Sequence, residues 1–284
     1  MKKIVICPNQ LRDVDLELTE QLSALLRENG AEVKVVPFFD KDVGEDVVRA
    51  VEGDLEGADM IVCLGGDGTI LHLSKPVARA GVPLLGINLG MTGFIAGLER
   101  DEWRETVRAL SGDCTIEPRM MLDVEVERGG GTVAEGLCLN DAVIERGGEE
   151  HIIYLTACGD GRKICSFAGD GIIFSTPTGS TGYSMSAGGP VVEPEAESLI
   201  MTPICAHTLS NQVFVVSPSR VLTAEIGGSE VRTVGRLMID GKNLLALRTG
   251  DLVRVKRSEQ VFKLVRIKER KFYELVNRKL SMKV

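Results

Sequence analysis

The spacing of apolar residues changes character once along the 284-residue chain, near residue 120, and that change limits what the chain can fold into. Before it, strand-length apolar runs alternate with helical spacings. "KKIVICP" is a short strand candidate, and residues 13–29 carry Leu18, Leu22, Leu25 and Leu26 on one helical face that ends at Gly30. "AEVKVVPF" predicts a strand, and residues 43–52 a weaker helix. "ADMIVCLGGDGTILHLSKPVARAG" reads as a strand, a glycine turn and a helix closed near Gly81. "VPLLGINLG" predicts a buried strand, and "RDEWRETVRALSGD" a helix carrying Trp103. Alternation at this pitch predicts βαβ units and a parallel sheet. After residue 120 short strands follow one another between turn signals, beginning with two around the glycines of "MLDVEVERGGGTVAEGLC". That pattern predicts stacked sheets or a sandwich. The join falls between residues 97 and 120.

Composition narrows the function. A net charge of -8 argues against a nucleic-acid backbone as the main partner. An acidic chain that binds an anion needs a local device, such as oriented N–H groups or a divalent cation. The seven cysteines form no Cys-x-x-Cys pair and read as buried free thiols of a reducing compartment. No apolar run reaches the ~18 residues of a membrane span, so a soluble cytoplasmic protein is expected. The basic terminal stretch "KERKFYELVNRKLSMKV" predicts a helix with Phe272, Leu275, Val276 and Leu280 inward and a solvated charged face, not a membrane contact. His72, His151 and His207 are not spaced as a metal site.

Three segments carry chemistry. In "LGGDGTI" a strand ends and a helix begins, the place where open α/β sheets bind ligands. Gly65, Gly66 and Gly68 allow left-handed angles and a close approach of N–H groups to an oxyanion. Thr69 suits a helix cap or a bond to a phosphate oxygen. Asp67 fits such a cradle only if it holds Mg²⁺ or accepts a proton from a hydroxyl being phosphorylated. The pattern is not a Walker A loop, and a plain Gly-Asp-Gly turn remains an equal reading. The second segment, "GDGIIFSTPTGSTGYSMSAGGP", offers a row of hydroxyls at Thr176, Thr178, Ser180 and Thr181, with Tyr183 as a stacking face for a base. In the third, "LNDAVIERG", Asn140 and Asp141 interrupt a strand. An amide beside a carboxylate can read a purine edge and a ribose diol, though a turn or bulge explains the pair as well.

Taken in order, "GGDGT", "GINLGMTGFIAGL", "LNDAVIERG", the threonine-rich block, "HTLSNQ" and the tail "FYELVNRKLSMK" resemble the NAD kinase family over nearly the whole chain. GGDGT alone is shared with diacylglycerol and sphingosine kinases; the threonine-rich block is far more specific. The resemblance implies a Rossmann-like parallel α/β domain at 1–98, a β-sandwich-like domain at 99–265, and a tail, 266–284, returning to the first. It implies phosphoryl transfer to the 2′-hydroxyl of the adenosine ribose of NAD, from ATP or polyphosphate, with Mg²⁺ or another divalent cation carried by the donor near Asp67. By the same resemblance Asp67 is the general base or the organiser of phosphate and metal, with Gly65, Gly66, Gly68 and Thr69 around the phosphate. Asn140, Asp141, Asp170, Thr178, Thr181, Gly182, Tyr183 and Asp240 line the NAD site. A homodimer or homotetramer is implied, with neither nucleic acid nor membrane as partner. The chain departs from the family pattern at Gly182, usually alanine, and at Ala168, where some strictly NAD-using members carry a basic residue. A lipid kinase and a non-catalytic NAD(P)-binding sensor are the competing readings.

Overall fold

The structure is a computed structural model describing residues 1–37, 53–90, 93–147, 152–207, 212–228, 233–269 and 272–281. The helix expected at 43–52 and the position of His151 lie outside these residues. Two compact units divide the chain, Met1–Arg119 with Val261–Val284, and Met120–Gln260.

The first unit is built on β1 (Lys3–Pro8), β2 (Glu32–Val35), β3 (Met60–Gly65) and β4 (Leu84–Asn88). They pair in parallel in the order β4-β3-β1-β2. Every residue of β3 and β4 is buried, as expected of strands covered on both faces. Cys7 and Cys63 stand opposite each other in the β1–β3 register. Burial, with a smaller push from Asp54, drives the Cys7 thiol up to about 12. The expectation of seven buried cysteines is corrected: Cys7, Cys63 and Cys138 are buried, three are half-buried, and Cys205 is exposed.

Helix α1 (Glu17–Glu28) buries Leu18, Leu22 and Leu26 at four-residue spacing. It begins four residues later than its periodicity indicates. Leu16 sits at φ 56 and breaks the run, while the Asp13 carboxylate accepts from the Leu18 and Thr19 N–H groups at 3.2 and 3.0 Å. Gly30, at φ 83, closes it as expected. Helix α2 (Asp67–Ala80) follows β3 and is closed by Gly81 at φ 67.

Beyond the two-residue β5 (Leu98–Glu99), the expected single helix at 100–113 is instead a 3₁₀ turn, Arg100–Glu105, followed by short α3 (Thr106–Leu110). The Thr106 hydroxyl donates to the Trp103 carbonyl at 2.7 Å, a local bond that competes with the helical ladder. Trp103 and Ala109 pack in the same core as Ile6, Leu22, Leu64, Val265 and Ile267. For that reason the division falls at 119/120 and 260/261, not at the expected 98/99 and 265/266.

The second unit is antiparallel. Its strands begin with β6 (Thr115–Arg128), β7 (Gly131–Cys138), β8 (Asp141–Arg146), β9 (Ile153–Gly159), β10 (Arg162–Gly169) and β11 (Gly171–Ser175). After the one-turn helix α4 (Tyr183–Ser186) come β12 (Leu199–Ile204), β13 (Phe214–Val216), β14 (Leu222–Gly227), β15 (Thr233–Ile239), β16 (Lys242–Arg248) and β17 (Leu252–Arg266). One sheet runs β13-β12-β11-β8-β15-β16; in the other β10-β9-β14-β17 are neighbours and β6 pairs with β7 and β17. Between them lies a core that includes Leu122, Val124, Ile144, Phe174, Met201, Leu222 and Val253. The hairpin tips are left-handed pairs: Gly129-Gly130 (φ 60 and 84), Asp160-Gly161 (49 and 74) and Asp240-Gly241 (47 and 79).

The boundaries at 119/120 and 260/261 fall within β6 and β17. The tail ends in α5 (Phe272–Ser281), assigned to the first unit. Leu275 is buried and Phe272 and Val276 are half-buried, as expected; the Leu280 side chain lies outside the described residues. Among the described residues no helix is long and apolar enough to cross a membrane.

Candidate active site

In the first unit the chemistry-bearing loop leaves the carboxyl end of β3. Its glycines are not left-handed, which corrects the sequence reading: none of Gly65, Gly66 and Gly68 has positive φ. Gly66 is extended, at φ -115. Space is the reason for Gly65 alone. A Cβ on Gly65 would stand 2.5 Å from Thr69 Oγ1, whereas at Gly66 and Gly68 it would meet nothing within 4 Å. Thr69 is buried, and its hydroxyl accepts from Asn9 Nδ2 at 2.9 Å and the Gly66 N–H at 3.4 Å. Of its two expected roles, the structure displays the cap.

Asp67 opens α2 with its carboxylate turned onto residues 93–96. Oδ2 accepts from the Phe94 N–H at 2.5 Å; Oδ1 accepts from Ile95 and Ala96 at 3.0 and 3.3 Å. Gly93 permits this approach, because a Cβ there would lie 2.1 Å from Asp67 Oδ1. Oδ1 has both lone pairs engaged, and Oδ2 keeps one. Sequence reasoning missed Arg12, just past β1, whose guanidinium lies 2.5 Å from where a Cβ of Gly90 would be. No motif marks it; only the parallel order of β1, β3 and β4 places it at the strand ends. Among the described residues no cluster of His, Cys, Asp or Glu is arranged to hold a metal unaided.

In the second unit Asn140 and Asp141 lie at the start of β8. Asp240, at the tip of the β15–β16 hairpin, accepts from the Leu139, Asn140 and Asp141 N–H groups at 2.9, 2.8 and 3.2 Å. It donates its own N–H to the Asp141 carbonyl at 3.0 Å. This expected NAD contact therefore spends its carboxylate on fixing the Asn140-Asp141 backbone. Burial, and secondarily the Asp240 charge, pushes the Asp141 carboxyl up to about 7, so it stays protonated well above the usual carboxylate range. Asn140 Oδ1 is buried without a hydrogen-bond partner.

The 176–183 block packs directly on this pair. A Cβ on Gly179 would be 2.2 Å from the Asn140 carbonyl oxygen. One on Gly182 would be 3.7 Å from Asn140 Nδ2 and 3.8 Å from Asp141 Oδ2, so both side chains reach that spot. The expected row of ligand-facing hydroxyls is corrected here. Thr176 donates to the Leu139 carbonyl at 2.6 Å, and Ser180 to Pro177 at 2.7 Å and Val192 at 3.1 Å. Thr176, Thr178 and Ser180 are all buried, and the half-buried Thr181 hydroxyl is 3.4 Å from the Thr178 carbonyl. The Thr176 and Ser180 hydroxyls thus satisfy buried backbone and hold the turn shut. Tyr183 is 41% exposed. Burial raises its phenol, helped by Glu145, Cys205, Asp170 and Asp141. Asp170 is ion-paired with Arg146 at 2.8 Å. The structure thus gathers Asn140, Asp141, Gly182 and Tyr183, with Asp240 behind them.

Residues 8–113 match the model of the ATP-NAD kinase N-terminal domain, and residues 139–267 that of the ATP-NAD kinase C-terminal domain. The chain is 37% identical to the NAD kinase of Natranaerobius thermophilus over 284 residues, covering 99% of this chain and 98% of the relative. It is 38% identical to that of Symbiobacterium thermophilum over 283 residues, 99% of each. Among solved structures, a yeast NADH kinase complexed with NADH superposes with a TM-score of 0.83 at 23% identity, covering 99% of this chain and 88% of that one. An NAD kinase from Archaeoglobus fulgidus in complex with ATP gives 0.75 at 25% identity, covering 99% of each.

Proposed function

Because the chain belongs to the NAD kinase family and is an enzyme with that family's activity, we propose that it transfers a phosphoryl group from ATP to the 2′-hydroxyl of the adenosine ribose of NAD. The observation that carries the acceptor half of this reading is the buried, unpartnered Asn140 Oδ1 next to Asp141, whose carboxyl burial raises to about 7, with the half-exposed Tyr183 two residues beyond the Thr181 that closes the turn on them. A free acceptor suits the exocyclic amine of adenine, a carboxyl group suits a ribose diol, and a phenol ring suits the base face. The donor half rests on the first unit. Gly66 and Gly68 leave the N-terminal end of α2 open, and ATP is named with the Archaeoglobus relative. Inorganic polyphosphate is the alternative donor.

A ribose hydroxyl is a weak nucleophile at neutral pH, and a placed carboxylate that takes its proton contributes roughly 10² to 10⁴ in rate. Asp67 Oδ2, with a lone pair to spare, is the atom assigned that task. A divalent cation would arrive on the donor's phosphates, with Asp67 the carboxylate that could face it. Such a Mg²⁺ would neutralise charge on the phosphoryl oxygens. Alignment of donor and hydroxyl supplies the rest of the acceleration. In keeping with the sequence resemblance, the protein would work in the cytoplasm as a homodimer or homotetramer.

The test is direct. Purified protein is incubated with NAD, ATP and Mg²⁺, and the product is examined by phosphorus NMR for a 2′-phosphate. NAD binding without product would favour a sensor. Phosphorylation of diacylglycerol in vesicles, with NAD untouched, would favour a lipid kinase.

A further inference from the structure

We propose that Arg266 is a positioning residue for Asp67, acting through the single peptide group that joins Ile95 to Ala96. The proposal rests on the assignment of Asp67 to phosphoryl transfer. Arg266 is the last residue of β17 and is only 8% exposed. Its Nη1 donates to the Ile95 carbonyl at 2.9 Å and lies 3.4 Å from the Ala96 carbonyl. The Ile95 carbonyl and the Ala96 N–H belong to one planar unit, and that N–H donates to Asp67 Oδ1. A guanidinium therefore pulls on one end of the peptide dipole while the carboxylate holds the other. Each bond polarises the group for its partner.

The arginine is itself aimed. Its Nε donates to Glu117 Oε2 at 2.5 Å, and the other oxygen of Glu117 pairs with the buried Arg119 at 2.5 Å. Gly97 keeps the path narrow: a Cβ there would be 3.1 Å from the Val265 carbonyl and 3.7 Å from Arg266 Nη1. Two buried arginines around one glutamate are a costly way to fill a core, since well-packed apolar residues commonly serve as well or better. The fork explains the choice. One guanidinium serves Glu117 and the loop carbonyls in fixed directions, which a lysine ammonium cannot do. Residues 94–96 are thereby held where their three N–H groups fix both oxygens of Asp67. Displacement of a reacting group by ~1 Å can cost ~10²-fold in rate, so the support bears on turnover more than on binding.

The experiment compares Arg266→Lys, Arg266→Gln, Asp67→Asn and the double variants, with Glu117→Gln as a milder probe that keeps the arginine and frees its direction. Two readouts are taken. In kinetics, Arg266→Lys is expected to lower kcat by about 10- to 100-fold with KM for NAD unchanged, and to add nothing in the Asp67→Asn background. In hydrogen exchange, Arg266→Lys and Asp67→Asn should each speed exchange of the 94–96 amides, and the double no more than the larger single. Glu117→Gln should repeat both effects more weakly, which keeps the test decisive if Arg266 variants fold poorly. Additive losses in kcat, a matching rise in KM, or unchanged 94–96 exchange overturns the proposal. A parent protein that makes no NADP would instead overturn the assigned reaction, and the exchange data would still decide the coupling.

Discussion

At the scale of single residues the acceptor pocket is a study in what a side chain is left free to do. Thr176, Ser180 and Asp240 make hydrogen bonds to backbone, and in the reading proposed above binding falls to Asn140, Asp141 and Tyr183. Tyr183→Ala removes a ring face, and aromatic stacking on a base is worth ~1 to 3 kcal/mol. KM for NAD should rise by the corresponding ~5- to 150-fold, while KM for ATP stays put; a parallel rise in both would place NAD elsewhere. Gly182 is the departure from the family pattern. Its φ of -95 is not left-handed, and where native angles suit alanine the substitution gains ~0.4 to 1 kcal/mol through the unfolded chain. The new Cβ would, however, meet the Gly179 carbonyl oxygen at 3.2 Å, a contact that takes back that gain. Gly182→Ala should leave stability within about 1 kcal/mol of the parent and keep turnover, read by thermal melting and steady-state assay. A large drop in Tm with loss of NAD binding would mean that the turn tolerates no side chain.

Between elements, the tip of one hairpin sets the start of another strand. Asp240 stands at φ 47 on the β15–β16 turn and caps three N–H groups at the entry to β8. Asp240→Ala would strip those donors of their acceptor, at about 1 to 3 kcal/mol for a buried group left unpaired. A lowered Tm together with a raised KM for NAD is the expected pair; a fall in Tm alone would detach the turn from the pocket. This contact also marks how far the sequence could be read. Strand identity, the parallel order and the hairpins were legible, because apolar spacing and Gly or Asp-Gly pairs report local geometry. The 3₁₀ turn at the start of the 100–113 helix was not, because no turn residue marks it in the sequence. Asp67, Asn140, Asp141 and Tyr183 could be singled out from sequence as candidates, because the first three interrupt an apolar run and Tyr183 is an aromatic among hydroxyls and glycines. The inward turn of the threonine block was not, since a hydroxyl looks alike in sequence whether it faces a ligand or a carbonyl. Nor were Arg12 and Arg266, whose neighbours lie 78 residues away at Gly90 and 171 away at Ile95.

For the molecule as a whole, one carboxyl tilts the balance between stability and pH. Asp141 is raised from 3.8 to about 7 in the folded chain, so between those values the native state holds a proton that the unfolded state has lost. Stability should therefore fall as pH climbs from about 4 to about 7 and then level off for this group. Asp141→Asn should flatten that descent and exceed the parent in Tm above pH 7; an unaltered slope would show Asp141 ionised throughout. The split first unit adds an ordering in time. A ribosome delivers residues 1–119 first, then all of 120–260, and only afterwards the Val265, Arg266, Ile267 and Leu275 that finish the first core and its loop. Domains usually mature in order of emergence. Here the middle of the message is complete before its beginning, and the carboxylate of Asp67 is steadied last. If the roles proposed above hold, a chain abandoned during translation would carry a finished second unit but a loop at 94–96 still without Arg266 behind it, able to hold NAD and unable to spend ATP on it.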